Sequence, residues 1–156
     1  MPPSPLTTEE RNKAVVARYF SEVLDRRRYE LMAELIAPDC VLHRPGFDVV
    51  GIQAAESRLR ATFAAFVSFR SELTGLIAEG DMVAVRIAHF TRVRPHTLRG
   101  RAGDIEVKRE QDLDWTAIVQ FRLHDGKIAE EWVMRDELGM LGQLGRITVD
   151  SSPRAG

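Results

Sequence analysis

Helical spacing fills the first half of this chain and period-two alternation fills the second, with no strand–helix–strand alternation between them. That order restricts the fold to an α+β class, with helices packed on one face of an antiparallel sheet. A capping box opens the first helix, with Thr7 as N-cap and Glu10 three residues later. Val15, Val16, Tyr19, Phe20, Val23 and Leu24 then recur at helical intervals and predict a helix to about Asp25. A second helix places Leu31, Met32, Leu35 and Ile36 on one side and is stopped by Pro38. After a short extended piece, Cys40 to His43, and a stop at Pro45-Gly46, the third helix is expected from about Gln53 to Phe69, burying Leu59, Phe63, Phe66 and Val67.

The strands follow. Glu72 to Ala78 is the first, and Glu79-Gly80-Asp81 turns the chain. In the next, Met82 to Arg92, one face carries Val83, Val85, Ile87, His89 and Thr91, and the other carries Met82, Ala84, Arg86, Ala88 and Phe90. Residues 93–105, with Pro95, Gly100 and Gly103, read as a long loop. Asp114 to Leu123 and Lys127 to Arg135 are strands joined by His124-Asp125-Gly126, and Glu137 to Leu144 is expected to form a short closing helix. The expected organisation is a flexible segment 1–8, one domain over 9–145, and a flexible tail 146–156. Trp115, Ala117, Val119 and Phe121 oppose an apolar Ile118 on the other face. A sheet apolar on both sides needs a second cover, so a homodimer through the outer sheet face is expected.

Composition narrows the function. The net charge of -1, with arginines 26–28 and the basic residues of Arg99 to Arg109 scattered among acids, predicts neither a nucleic-acid nor a membrane-surface partner. A single cysteine, Cys40, rules out an internal disulfide framework and reads as a small core filler. The start has no apolar signal region, and no apolar run nears the roughly 20 residues that span a bilayer. A cytoplasmic location is therefore expected. The four histidines (43, 89, 96 and 124) lack zinc-ligand spacing, and neither a nucleophile-elbow, a phosphate-loop nor a dinucleotide glycine motif is present, so no metal and no cofactor are expected.

The chemistry is sought on the last strand. On period-two alternation Ile128, Glu130, Trp132, Met134 and Asp136 share a face, which puts an acid at the end of an apolar row. A carboxyl buried there has a raised pKa, which suits an acid/base near neutrality. Asp136 is thus the candidate acid/base, its alternatives being an N-cap for the helix that starts at Glu137 or an ordinary surface acid. His43 and His89 are candidate polar helpers. Tyr19, Trp115, Trp132, Met134, Phe63 and Met32 form the expected substrate-facing set, although Met32 and Phe63 are core residues by default.

Several segments, in this order, resemble the SnoaL-like polyketide cyclases of the nuclear-transport-factor-2-like superfamily. They are Asn12 to Phe20, Leu35 to Val41, Glu79 to Arg86, and Asp125 through Gly145. The most specific part is Trp132 to Asp136 followed by Glu137-Leu138-Gly139-Met140-Leu141-Gly142-Gln143-Leu144-Gly145. The resemblance implies a cone: a strongly curved sheet wrapped on three N-terminal helices, with a pocket inside. It also implies dimers or higher oligomers, and an intramolecular aldol ring closure on a hydrophobic polyketide-like carbonyl compound without metal or cofactor. The family's acid/base carboxylate matches Asp136, and a pocket histidine matches His43. The chain departs from the pattern at Arg99 to Glu110, where many relatives carry a Pro-Pro-Thr-Gly-Lys turn. The superfamily also holds hydroxylases, hydratases, isomerases, epoxide hydrolases and non-catalytic binding modules, which stand as alternatives.

Overall fold

The computed structural model describes residues 1 and 4–147. Helix α1, Thr8–Arg18, starts at the expected capping box: Thr7 N donates to Glu10 Oε2 at 2.7 Å, and Glu10 N donates to Thr7 Oγ1 at 3.2 Å. The helix widens into one π-helical stretch, Tyr19–Leu24, whose Tyr19, Phe20, Val23 and Leu24 are all buried. The second helix is shorter than its spacing predicts. A 3-10 turn, Tyr29–Leu31, leads into α2, Met32–Leu35, and Ile36 already begins strand β1, Ile36–Arg44.

Pro38 therefore lies inside a strand rather than ending a helix. The ladder explains how it is accommodated. Pairing passes from Ile36↔Ile128 to Val41↔Glu130, so β1 bulges between those points. A residue without an N–H fits such an irregular stretch. Strand β2, Phe47–Val50, returns alongside β1, and α3 runs over Ile52–Phe63.

Helix α3 stops short of the predicted Phe69. Phe66 opens β3, Phe66–Glu79, and Val67 is exposed. The three-residue spacing of Phe63, Phe66 and Phe69 mimics a helix. It arises instead because a helix end and a strand start converge on one ring cluster, with centroids 4.6 to 5.6 Å apart.

Strands β4 (Met82–Val93), β8 (Trp115–His124) and β9 (Lys127–Arg135) follow the expected bounds closely. The β8–β9 turn has Asp125 and Gly126 at φ 48° and 73°, the left-handed pair that a two-residue hairpin requires. The expected loop 93–105 is instead ordered. It holds a separate hairpin, β5 (His96–Arg99) with β6 (Asp104–Val107), anchored by buried Leu98, Ile105 and Val107. A short β7, Gln111–Asp112, pairs with β4, and α4, Glu137–Gln143, closes the described chain.

The main sheet has seven strands in the order β2-β1-β9-β8-β4-β3, with β7 beside β4. It is mixed, which corrects the antiparallel expectation: β1 runs parallel to β9, while the other pairs are antiparallel. Parallel neighbours need a long connection, and here most of the chain separates β1 from β9. Among the described residues the architecture is α+β, four α-helices with a seven-stranded sheet. The core joins Val16 of α1, Phe20 and Val23 of the π-helical stretch and Leu59 of α3 to Val85, Ile87, Val119 and Phe121 on the inner sheet face. Each such buried side chain contributes on the order of 2 kcal/mol. No helix among the described residues is long and apolar enough to cross a membrane. Of the segments expected to be flexible, residues 2–3 and 148–156 lie outside the described residues.

Candidate active site

Between the inner sheet face and α3 lies a cavity of about 220 Å³. The π-helical stretch after α1 supplies Phe20 and Leu24, β4 supplies His89, β8 supplies Trp115, Ala117 and Val119, and β9 supplies Glu131, Val133 and Arg135. The hairpin β5–β6 stands at the mouth through His96, Thr97, Leu98 and Arg99. Its seat is a close backbone approach. Gly46 sits at φ 83°, and a Cβ there would run into the Gly100 carbonyl.

The β9 face differs from the alternation expected for it. Leu123 pairs with Ile128 but Arg122 pairs with Glu130, so Ala129 is an extra residue in the ladder. The bulge reverses the phase. Ile128 points inward as expected, but beyond it Glu131, Val133 and Arg135 face the cavity, while Met134 is 58% exposed. Asp136 is exposed and serves as N-cap of α4, its Oδ1 accepting from Gly139 N at 2.8 Å. It does not line the cavity.

The buried cavity acid is Glu131, 1% exposed. Arg44 Nη2 lies 2.9 Å from Glu131 Oε2 and donates to Tyr19 Oη, also at 2.9 Å. The guanidinium is aimed at the phenol, so its contact with Glu131 is one of charge rather than an aligned hydrogen bond, and Oε2 accepts none from the described residues. Burial pushes the Glu131 carboxyl above the ordinary range, with the cation of Arg44 opposing it. Burial works against the Arg44 cation, but the Glu131 carboxylate and the Tyr19 phenol oxygen opposite outweigh it and keep Arg44 charged. Burial, then the Glu131 charge, raises the Tyr19 phenol and keeps it protonated.

His89 forms a second polar group on the cavity wall. It is 6% exposed, ringed by Phe20, Phe69 and Trp115 with centroids 5.0 to 6.2 Å away. Burial, helped by the charge of Arg44, lowers its pKa to about 4, so it is neutral at pH 7. Its tautomer follows from its neighbours. Ser71 Oγ donates its one hydrogen to Asp25 Oδ1 at 2.7 Å, and it lies 3.1 Å from His89 Nδ1. Oγ must then accept from Nδ1–H, which leaves the lone pair on Nε2. Ser71 N, donating to Asp25 Oδ2 at 3.0 Å, fixes the chain of contacts.

The other expected site residues separate. Trp115 and Phe63 line the cavity with His89. Tyr19 reaches it only through Arg44, and Met32 is core at 1% exposure. His43 and Trp132 lie on the opposite side of the sheet, along an outer groove with Ile118 and Met134. Their rings stack at 5.5 Å, and His43 is held by Asp48 at 3.0 Å and Glu130 at 2.9 Å. The hydrogen bond to Glu130 raises the His43 pKa most. Cys40 is buried, and burial pushes its thiol up. Among the described residues no group of three or more His, Cys, Asp or Glu could hold a metal ion.

Glu131, Arg44, Ser71 and Asp25 are absent from the sequence-based set. One signal was available for Glu131. Adjacent acids Glu130 and Glu131 on a strand must face opposite sides, so one of them had to meet the core.

The profile of the SnoaL-like polyketide cyclase family matches residues 14–144. Among curated proteins, none matches the sequence. Of the solved structures, a SnoaL-like polyketide cyclase candidate from Jannaschia sp. CCS1 is similar with TM-score 0.76 and 19% identity, over 94% of this chain and 99% of that one. IdmH of Streptomyces antibioticus, a candidate polyketide cyclase, aligns with TM-score 0.68 and 26% identity, over 86% of this chain and 98% of that one. AclR of Streptomyces galilaeus, a candidate hydroxylase, aligns with TM-score 0.70 and 22% identity, over 88% and 97%. With the family profile spanning most of its length, this chain belongs to the SnoaL-like polyketide cyclase family.

Proposed function

We propose that this chain is a cofactor-independent acid/base enzyme of the polyketide cyclase type, closing a ring by aldol addition within a compact hydrophobic carbonyl compound. One observation carries the reading: a buried carboxylate, Glu131, lines an aromatic cavity beside a fixed cation, Arg44. Family membership implies a cone-shaped sheet around such a pocket.

In this mechanism Glu131 takes a proton from a carbon flanked by two carbonyls. The electron pair moves to a carbonyl oxygen, where the guanidinium groups of Arg44 and Arg135 stabilise the enolate. The enolate carbon attacks a second carbonyl of the same molecule. One carbon–carbon bond forms, and the new alkoxide takes the proton back from Glu131. Nothing is oxidised or reduced, and no co-reactant is consumed. His89 Nε2 accepts a hydrogen bond from a substrate hydroxyl and orients the ring. A raised carboxyl pKa brings the base closer to working pH. The reading includes a homodimer formed through the outer sheet face, where Phe90, Ile118 and Met134 are exposed.

The test uses a linear β-diketone that can close to a ring. Glu131→Gln should keep its fold and lose about a hundredfold or more in turnover. Asp136→Asn retains a capping side chain and should turn over as wild type does. If Asp136→Asn is the inactive one, the acid at the family position is the base and the Glu131 assignment fails. A product heavier by the elements of water points to the hydratase alternative. Ligand binding without any turnover of diketones points to a binding module.

A further inference from the structure

We infer that the ligand of this cavity carries a carboxylate at its mouth end, held by Arg58 and Arg99 over the ring of Phe47. The inference rests on the acid/base reading of the same site and names its substrate class: a compact hydrophobic acid.

The charge of the lining is unbalanced. Among the described residues, four arginines (44, 58, 99 and 135) border the cavity, and Glu131 is its only carboxylate. Two of the four are accounted for. Arg44 faces Glu131 at 2.9 Å, and Arg135 faces Glu137 at 3.1 Å. The other two, Arg58 on α3 and Arg99 on β5, have no acid within 4.0 Å among the described residues. They belong to different elements, yet both lie against one ring. The Arg58 guanidinium lies 4.4 Å from the Phe47 ring centroid, and that of Arg99 lies 6.0 Å from the same centroid. A ring under a guanidinium holds its plane and leaves its N–H edges free. Those edges match the two oxygens of a carboxylate.

The depth of the site supports the same orientation. Phe63, Phe66, Phe69 and Trp115 line the space that a hydrophobic body would fill. The polar groups of the floor, Glu131 and His89, belong to the inner sheet face, whereas Arg58 and Arg99 are exposed. A molecule apolar in its middle and anionic at one end satisfies both. A volume of about 220 Å³ restricts that body to a compact one. In a chain with net charge -1, this local excess of cations is a property of the site and not of the whole surface.

The experiment is calorimetric titration of the whole chain with naphthoate and with its neutral isostere naphthamide, read as binding and so independent of turnover. Wild type should bind naphthoate about tenfold or more tightly than naphthamide, with the preference shrinking as salt is raised. Arg58→Gln/Arg99→Gln should level the two ligands while naphthamide affinity stays unchanged. Arg58→Lys/Arg99→Lys, which keeps the charge but not the fork, should restore part of the preference. Equal affinities in wild type, or a preference that survives the double glutamine variant, overturns the inference. Binding of naphthamide alone overturns it and leaves the acid/base reading standing. Binding of neither overturns the inference as well, and diketone turnover then decides the acid/base reading separately.

Discussion

His89 makes the protein acid-sensitive. Its pKa falls from 6.5 to about 4 on folding because burial disfavours the imidazolium. A base with a depressed pKa leaves stability untouched above the unfolded value. As pH drops below 6.5 the unfolded chain takes up the proton first, so stability declines until pH reaches about 4. The loss is on the order of 3 kcal/mol. Denaturant titrations at neutral and acidic pH should show it, and His89→Gln should flatten that part of the profile. The Arg44–Glu131 pair makes a second residue-level prediction. Arg44→Met leaves a buried carboxyl without its cation and should cost about 3–5 kcal/mol, whereas Arg44→Met with Glu131→Leu should recover most of that. Urea unfolding of the two variants decides it. If the double variant is no more stable than the single one, the pair is not what holds the floor of the cavity.

Among the elements, α4 depends on one clasp. Asp136 caps it through Gly139 N, and the same approach leaves no room for a side chain at Gly139, where a Cβ would meet the Asp136 carboxyl. Asp136→Ala should lower stability by about 0.5–2 kcal/mol, and Asp136→Asn by close to nothing. Gly139→Ala should be destabilising although alanine is the better helix former, because it forces the cap apart. Thermal melts of the three variants check this. A melting point for Gly139→Ala at or above wild type would mean that the cap is not formed in solution. Two elements also show where local spacing misleads. The phenylalanines 63, 66 and 69 have helical spacing but cluster across a helix–strand junction, and Pro38, a helix stop by local rules, is absorbed by a bulge. In both cases the decisive contacts come from segments distant in sequence.

At the scale of the molecule, the outer sheet face makes a prediction about assembly. Ile118 and Met134 are 50% and 58% exposed on adjacent strands. Sedimentation should find a dimer, and Ile118→Lys/Met134→Lys should give a folded monomer. A wild-type monomer at high concentration would remove the dimer from the proposal.

The α+β class, the capping box, the β8–β9 turn and the inward faces of β4 and β8 were legible because each is a local property: propensity, capping and alternation act within a few residues. The identity of the cavity acid was not. A single extra residue at Ala129 reverses which side chains of β9 meet the core, and that bulge is a feature of the ladder β9 forms with β8, a strand pairing rather than a local propensity. Asp136 and Glu131 are both acids within four residues of Trp132 in the sequence. Only the paired sheet decides that the first caps a helix in water and the second lies in the cavity beside Arg44.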